Sequence, residues 1–131
     1  MAGQWTPRDP DELTAGWRLW LELGSSAWPR PGWDGTPDEA VRGLRELTAS
    51  GDEILAGYLA AGGDTEAAVA GLVRSMHLAA SWICELWSGD TAPPDGERLA
   101  LLHGDLAGFA DHADGVRTFL AQGGGWASLT L

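Results

Sequence analysis

The segment from residue 95 to residue 121 reads DGERLALLHGDLAGFADHADGVRTFLA, and its apolar residues recur in steps of three and four. The recurring positions are Leu99, Leu102, Leu106, Phe109, Ala113, Val116 and Leu120. This spacing puts one apolar stripe along one side of an α-helix. The run Gly123-Gly124-Gly125 follows the stripe and predicts the end of the helix. Such a stripe must be covered by other elements, and no strand alternation long enough to build a sheet appears elsewhere, so the sequence points to an all-α fold.

Three further segments show the same helical periodicity, at residues 10–22, 37–61 and 65–88. Asp9 or Asp11 can cap the first of them, with Pro10 suited to the first helical position, and Thr36 is expected to cap the second before Pro37. In the second segment the apolar phase continues across Gly51, which predicts one continuous helix. Short connections favour antiparallel neighbours, so the chain reads as an up-down antiparallel four-helix bundle. Its 131 residues predict a single domain over 1–131.

The third helix is apolar on most of its circumference, which is typical of a central helix. We expect Asp64 or Thr65 to cap it. Its main seam is formed by Val69, Leu72, Met76, Ala79, Ile83 and Leu86, with Val73, Ala80 and Trp87 as a second stripe and Leu78 and Trp82 as a third.

The segments between and after the helices also carry structural signals. Residues 27–36 contain Trp28, Trp33 and two prolines, which predicts an ordered, packed loop after the first helix. The tail from Trp126 to Leu131 is apolar and is expected to be a short extended segment.

The glycines inside the predicted helices indicate close helix approach or bending, and they are Gly43, Gly57, Gly71, Gly104, Gly108 and Gly115.

The charge of the chain is strongly negative. Nineteen Asp and Glu residues face eight arginines, for a net charge of −11. Phosphate binding depends on Lys and Arg, so this charge argues against a nucleic-acid ligand and against an anionic membrane surface. It favours a basic protein as partner. The sequence contains neither Lys nor Asn, whose codons are AT-rich, which favours a GC-rich bacterial genome.

The cysteine content, together with the lack of a recognisable signal peptide or membrane span in the sequence, predicts a cytoplasmic location. Cys84 is the sole cysteine, so no disulfide can form within the chain, and burial as a small apolar residue is its expected role. The N-terminal residues do not read as a signal peptide. No segment approaches the roughly 20 apolar residues of a membrane span.

Tryptophan is the most unusual feature, with eight residues in the chain. An indole buries a large apolar area, so these residues fill a core in which many other positions are Ala or Gly. The alternative is a binding role. As anchors for a protein partner we expect Trp28, Trp33 and Trp126. As the lining of a pocket between helices we expect Trp17, Trp20, Trp82 and Trp87.

The histidines offer candidates for chemistry. His103 and His112 lie on opposite faces of one helix and cannot share a metal. In a hairpin of the third and fourth helices, His77 and His103 come nearly level and could face each other as a proton-transfer pair or as a half-formed metal site. The alternative is two boundary histidines bonded to backbone or water. No ligand set is complete, so neither a metal site nor a cofactor is predicted.

The segment from Arg98 to His103 reads RLALLH and resembles the short Arg-x4-His motif of HEPN ribonucleases, which are also helical bundles. The resemblance covers these six residues. It implies that Arg98 and His103 converge at a dimer interface and cleave RNA. Leu99 stands where that family tends to carry a polar residue, and the negative charge disfavours RNA.

Two hypotheses follow from these patterns. The first is a non-enzymatic interaction module of the inhibitor, immunity, antitoxin or accessory type that binds a basic protein. The second is a small-molecule binder or enzyme, whose Trp-lined pocket takes an apolar or aromatic ligand beside His77 and His103. Either could act as a homo-oligomer.

Overall fold

A computed structural model describes residues 5–25, 28–30, 33, 35–92 and 95–126. Within these ranges the chain forms four α-helices and no strand. They are α1 (Pro10–Gly24), α2 (Pro37–Ala60), α3 (Ala68–Trp87) and α4 (Gly96–Gly124). The expected all-α class is confirmed, and the helices pack on one another as a bundle. The predicted extended tail beyond Trp126 lies outside the described residues.

Side-chain caps explain where α1 and α2 begin. At α1, the backbone N–H of Glu12 donates to Asp9 Oδ1 over 2.8 Å. At α2, Glu39 N donates to Thr36 Oγ1 over 3.2 Å, and Glu39 Oε1 accepts from Thr36 N over 3.1 Å. This is a capping box, and the hydrogen bonds from Thr36 hold the pKa of the Glu39 carboxyl below its usual value.

The start of α3 differs from the sequence prediction because Asp64 is engaged in a turn. Its Oδ1 accepts from Glu66 N over 2.8 Å, and this bond holds the pKa of the Asp64 carboxyl below its usual value. Neither Asp64 nor Thr65 caps the helix, which begins at Ala68 behind Ala67. The capping position therefore offers no side-chain acceptor to the free N–H groups of the first turn.

A buried carboxylate of α1 supplies one of these acceptors. Glu12 is fully buried, and its Oε2 accepts from Val69 N, in the first turn of α3, over 3.3 Å. Its Oε1 accepts from Arg8 N over 2.7 Å. The Arg8 side chain in turn pairs with Asp64 and donates to the carbonyl of Glu66 over 3.3 Å. The start of α1 is thereby tied to the start of α3.

The glycine run at the end of α4 allows close packing. The helix continues through Gly123 and Gly124, past its predicted end, and Gly125 ends it with a φ of 80°. A Cβ at Gly123 would collide with the carbonyl oxygen of Trp5, and one at Gly124 would collide with the ring of Trp126. The absence of side chains therefore lets both indoles close onto the helix.

The core is formed by apolar residues of all four helices. Its fully buried members include Leu23, Leu44, Leu102, Leu106 and Leu120. The pairs α2–α3, α1–α4 and α1–α2 pack extensively, whereas α3 and α4 share a smaller contact. Parts of α3 and α4 are left uncovered as a result.

The Glu12 contact predicts a stability effect. In Glu12→Gln a single side-chain oxygen replaces two acceptors, so Arg8 N or Val69 N loses its partner in a buried position. We expect the free energy of unfolding to fall by about 1–3 kcal/mol in urea titrations. The control Glu53→Gln, at an exposed position of α2, should change it by no more than about 0.5 kcal/mol. Equal urea midpoints for Glu12→Gln and the parent chain would contradict this role.

Candidate functional site

Four of the tryptophans form a cluster where the middle of α1 meets the end of α4. They are Trp5, Trp17, Trp20 and Trp126. The rings of Trp17 and Trp20 stack with centroids 5.2 Å apart, and Trp126 meets Trp17 edge-on at 5.1 Å. The guanidinium of Arg117 lies 4.4 Å from the Trp20 ring centroid. This cluster is part of the packing that joins α1 to α4.

Trp28 and Trp87 are also core residues, with their indole N–H groups paired. Trp28 Nε1 donates to the carbonyl of Leu23 over 3.1 Å, and Trp87 Nε1 donates to Asp105 Oδ2 over 2.8 Å. Trp28 and Trp126, two of the expected anchors, are buried and therefore are not exposed to a partner protein. The physical reason is the large apolar area of the indole in a chain rich in Ala and Gly.

The four tryptophans expected to line one pocket are placed apart. Trp17 and Trp20 belong to the cluster between α1 and the end of α4, and Trp87 is buried against Asp105. Trp82 instead lies on the outer side of α3 and is 66% exposed.

Trp82 belongs to a row of exposed apolar side chains, which we call the α3–α4 strip. The strip consists of Leu78, Trp82 and Leu86 on α3 and Leu101 on α4. Their exposed fractions are 72%, 66%, 58% and 63%. Positions separated by four residues lie on the same face of a helix, so the three α3 residues form one continuous ridge. Leu86, predicted in the buried seam of α3, is instead part of this surface.

A groove beside the ridge separates α3 from α4. It has a volume of about 330 Å³ and is lined by Ala79, Trp82, Ile83, Gly104, Asp105, Gly108 and Phe109. Gly104 and Gly108 face open space, because a Cβ at either would have no neighbouring atom within 4 Å. These two glycines therefore do not serve close approach between helices of this chain. They leave the α4 side of the groove without side chains.

The charges next to the strip are mainly negative. Glu85 on α3 and Glu97 and Asp111 on α4 are exposed, and no described side chain forms an ion pair with them. The nearby cations are engaged elsewhere. Arg74 Nη2 donates to the carbonyl of Thr65 over 2.6 Å. Arg98, the other cation, pairs with Asp90.

Part of this surface is recognisable in the sequence. Leu78 and Trp82 form the third apolar stripe of the third helix, outside its main seam. This extra stripe is the feature of the sequence that indicates an exposed apolar surface. Leu101 is the one leucine of the segment Leu99–Leu106 that the stripe of α4 omits. The open glycines carried no such signal, because a glycine in a helix is compatible with close packing or with exposure.

The histidines have separate partners. His77 Nδ1 lies 3.5 Å from Asp52 Oδ2 on α2, and both side chains are about half exposed. His103 Nε2 lies 2.8 Å from the carbonyl oxygen of Trp33. His77 is thus directed toward α2 and His103 toward the α1–α2 connection. His112 Nε2 lies 2.9 Å from Ser75 Oγ and joins α4 to α3.

A second groove, between α2 and α3, contains His77. Its volume is about 460 Å³, and its lining includes Arg45, Thr48, Cys84, Glu85 and Ser88. Cys84 is buried, and its Sγ lies 3.8 Å from the carbonyl oxygen of Val41. Burial raises the pKa of the Cys84 thiol. A neutral thiol is a poor nucleophile, so this groove lacks an activated cysteine.

The residues that resemble the HEPN motif are also engaged within the chain. Arg98 pairs with Asp90, and its guanidinium lies 5.8 Å from the Trp87 ring centroid. His103 faces the carbonyl of Trp33. Arg98 and His103 therefore contact different elements.

Within residues 5–25, 28–30, 33, 35–92 and 95–126, no three His, Cys, Asp or Glu side chains are grouped as metal ligands would be. Among the helices described, none combines the length and apolarity needed to cross a bilayer. Comparison of the chain with protein-family models, curated proteins and solved structures gives no match.

The environment of Cys84 predicts low reactivity. Because burial raises its pKa, the folded thiol stays protonated at a pH at which the unfolded thiol begins to ionise, about 8.5. We expect a thiol-reactive disulfide reagent to label the native chain far more slowly than the urea-unfolded chain at pH 8. The free energy of unfolding should also fall as the pH rises above about 8.5, since the unfolded chain then releases the proton more readily. Cys84→Ala should remove this part of the pH dependence of stability. Equal labelling rates in the native and the unfolded chain would contradict the predicted low reactivity of the thiol.

Proposed function

We propose that the chain is a protein-interaction module that binds a basic protein partner through the α3–α4 strip. The observation that carries the proposal is the exposed row of Leu78, Trp82, Leu86 and Leu101. Contiguous exposed apolar side chains with polar surroundings mark interaction surfaces. An exposed tryptophan among leucines is also the residue type that most often dominates binding energy at protein interfaces.

The charge of the chain supports a basic partner. The net charge is −11, and the exposed carboxylates of Glu85, Glu97 and Asp111 on α3 and α4 form no ion pair with a described side chain. Such a field accelerates association with a positively charged protein and suppresses association with acidic ones. The apolar strip would supply affinity, and the surrounding carboxylates would supply orientation.

The arrangement of the chain is part of this proposal. An up-down antiparallel order puts α3 next to α4, so that one face is formed by both. Four contacts support this order: Trp5 with Gly123, Trp20 with Arg117, Asp38 with Asp90, and Asp52 with His77. A packed Trp/Pro loop after α1 is supported by the burial of Trp28 and Pro29. On sequence grounds we place the module in the cytoplasm.

The alternative function, a small-molecule binder or enzyme, has less support. It depends on one pocket lined by Trp17, Trp20, Trp82 and Trp87 beside His77 and His103. These tryptophans are distributed between the core and the outer surface, and the two histidines have partners on different elements. The α2–α3 groove beside His77 remains the place where such a ligand would bind.

The proposal is tested by affinity capture from a lysate of the cells that produce the chain. The bait is the parent chain, the double variant Leu78→Ser/Trp82→Ser, or the control Leu21→Ser, which removes an exposed leucine of α1. We expect one basic protein to be retained by the parent chain and by Leu21→Ser, and lost with the double variant. Retention should fall between about 0.05 M and about 0.5 M salt, because salt screens exposed charges.

Two results would count against the proposal. One is retention that the double variant leaves unchanged, provided that its thermal unfolding matches that of the parent chain. The other is the absence of any retained protein, which would favour a small ligand in the α2–α3 groove instead.

A further inference from the structure

We infer that the segment of the partner that binds the α3–α4 strip is a basic amphipathic α-helix, lying along the groove between α3 and α4. The inference rests on the proposed function and names the chemistry of the partner at the same surface. Three observations carry it: the shape of the groove, the bare glycines on its α4 side, and the sign of the surrounding charge.

The strip has the shape of a helix-binding groove. Leu78, Trp82 and Leu86 follow one another at every fourth residue, so the ridge extends about 12 Å along α3. The contact between Ser75 and His112 sets the level of the two helices. Leu86 and Leu101 lie equally far from that contact along α3 and α4, so they border the same end of the groove. The apolar ridge of α3 thus runs parallel to the helix axis for about two turns, and Leu101 borders one end of the groove from α4.

The α4 side of the groove leaves room for inserted side chains. Gly104 and Gly108 lie one turn apart, and both line the groove and face open space. A helix interior with glycine is less stable than one with alanine. Among the described residues, none lies within 4 Å of where a Cβ would stand at either position, so close packing does not account for the glycines. A partner side chain that enters the groove would reach the α4 backbone directly, which large residues at these positions would prevent.

A helix suits this surface better than an extended segment does. Extended peptides usually bind by adding a strand to the edge of a sheet, and the described residues contain no strand. A groove between two helices instead accepts apolar anchors spaced by three and four residues, as on an amphipathic helix. Such a helix would place its leucine-like side chains over Gly104 and Gly108 and pack them against Trp82.

The charge distinguishes a foreign partner from a second copy of the chain. In a symmetric dimer through the strip, the carboxylates of Glu85, Glu97 and Asp111 would approach those of the other copy. Each copy also carries a net charge of −11. A helix with Lys or Arg beside its apolar stripe would meet opposite charges instead.

The inference is tested with synthetic peptides, so that it does not depend on capture from a lysate. The probe is a fluorescent peptide of about 18 Leu and Lys residues in an amphipathic helical pattern. One comparison peptide has the same composition in a scrambled order, and another replaces Lys with Glu. Binding is read by fluorescence anisotropy at two salt concentrations.

The matched variants are two helical glycines changed to leucine. Gly108→Leu fills the groove, whereas the control Gly57→Leu alters an equally open glycine on α2. Leucine favours the helix at both positions, so the melting temperature of each variant should equal or exceed that of the parent chain. Lost binding in Gly108→Leu therefore cannot be attributed to unfolding. Trp82→Ala, at an exposed position, is the second groove variant.

We expect the patterned Leu/Lys peptide to bind at least about tenfold more tightly than the scrambled or acidic peptide. Gly108→Leu and Trp82→Ala should each weaken it about tenfold or more, and Gly57→Leu should leave it unchanged. If the scrambled peptide binds as tightly as the patterned peptide and its binding still depends on Trp82, the inference of a helical partner segment is wrong, while the proposed function stands. If no peptide binding depends on Trp82 or Gly108, the groove is overturned as a helix site, and the capture experiment decides the proposed function separately. A dimer of the chain in sedimentation that Trp82→Ala dissociates would overturn the foreign partner in favour of a second copy.

Discussion

The bundle depends on one buried carboxylate shared by two helix starts. Glu12 is fully buried, and its two oxygens accept the backbone N–H groups of Arg8 and Val69. A carboxylate without such partners would be unstable in a protein interior, whereas the positive end of a helix favours it. α3 has no cap of its own, because Ala67 stands at its capping position. Glu12 therefore links the start of α3 to α1, while the extensive contact with α2 holds the rest of α3 and the strip that it carries.

The helices were predictable because their signals are local. Asp9 and Thr36 cap the helices that the sequence assigns to them, and the apolar phase carries α2 through Gly51 as expected. The start of α3 was not predictable in this way. Asp64 resembles a cap in sequence, but the capping acceptor comes from Glu12, more than fifty residues earlier in the chain. Asp64 is engaged in a local turn, and the distant carboxylate of Glu12 takes the capping role instead. The spacing of apolar residues contains no information about such a contact.

The surface was harder to predict than the fold, because burial depends on which neighbours a helix has. Leu86 continues the seam of α3 by spacing, yet it is exposed because α4 covers α3 less extensively than α2 does. Trp28 was expected to be a surface anchor because it lies in a loop, yet its ring packs edge-on against Phe109 in the core, with the ring centroids 5.3 Å apart. Trp82 is the one candidate tryptophan among the described residues that is mainly exposed. A third stripe on an otherwise buried helix was the available sign of a second role.

The most direct test of the binding surface is hydroxyl-radical footprinting of the chain with and without its captured partner. This measurement reads the solvent exposure of individual side chains without changing the sequence. Our interpretation predicts that the partner lowers the oxidation of Trp82, Leu78 and Leu101, while Leu21 on α1 is oxidised to the same extent in both samples. Unchanged oxidation of Trp82, together with protection of side chains on α1 or α2, would show that the partner binds another face of the bundle.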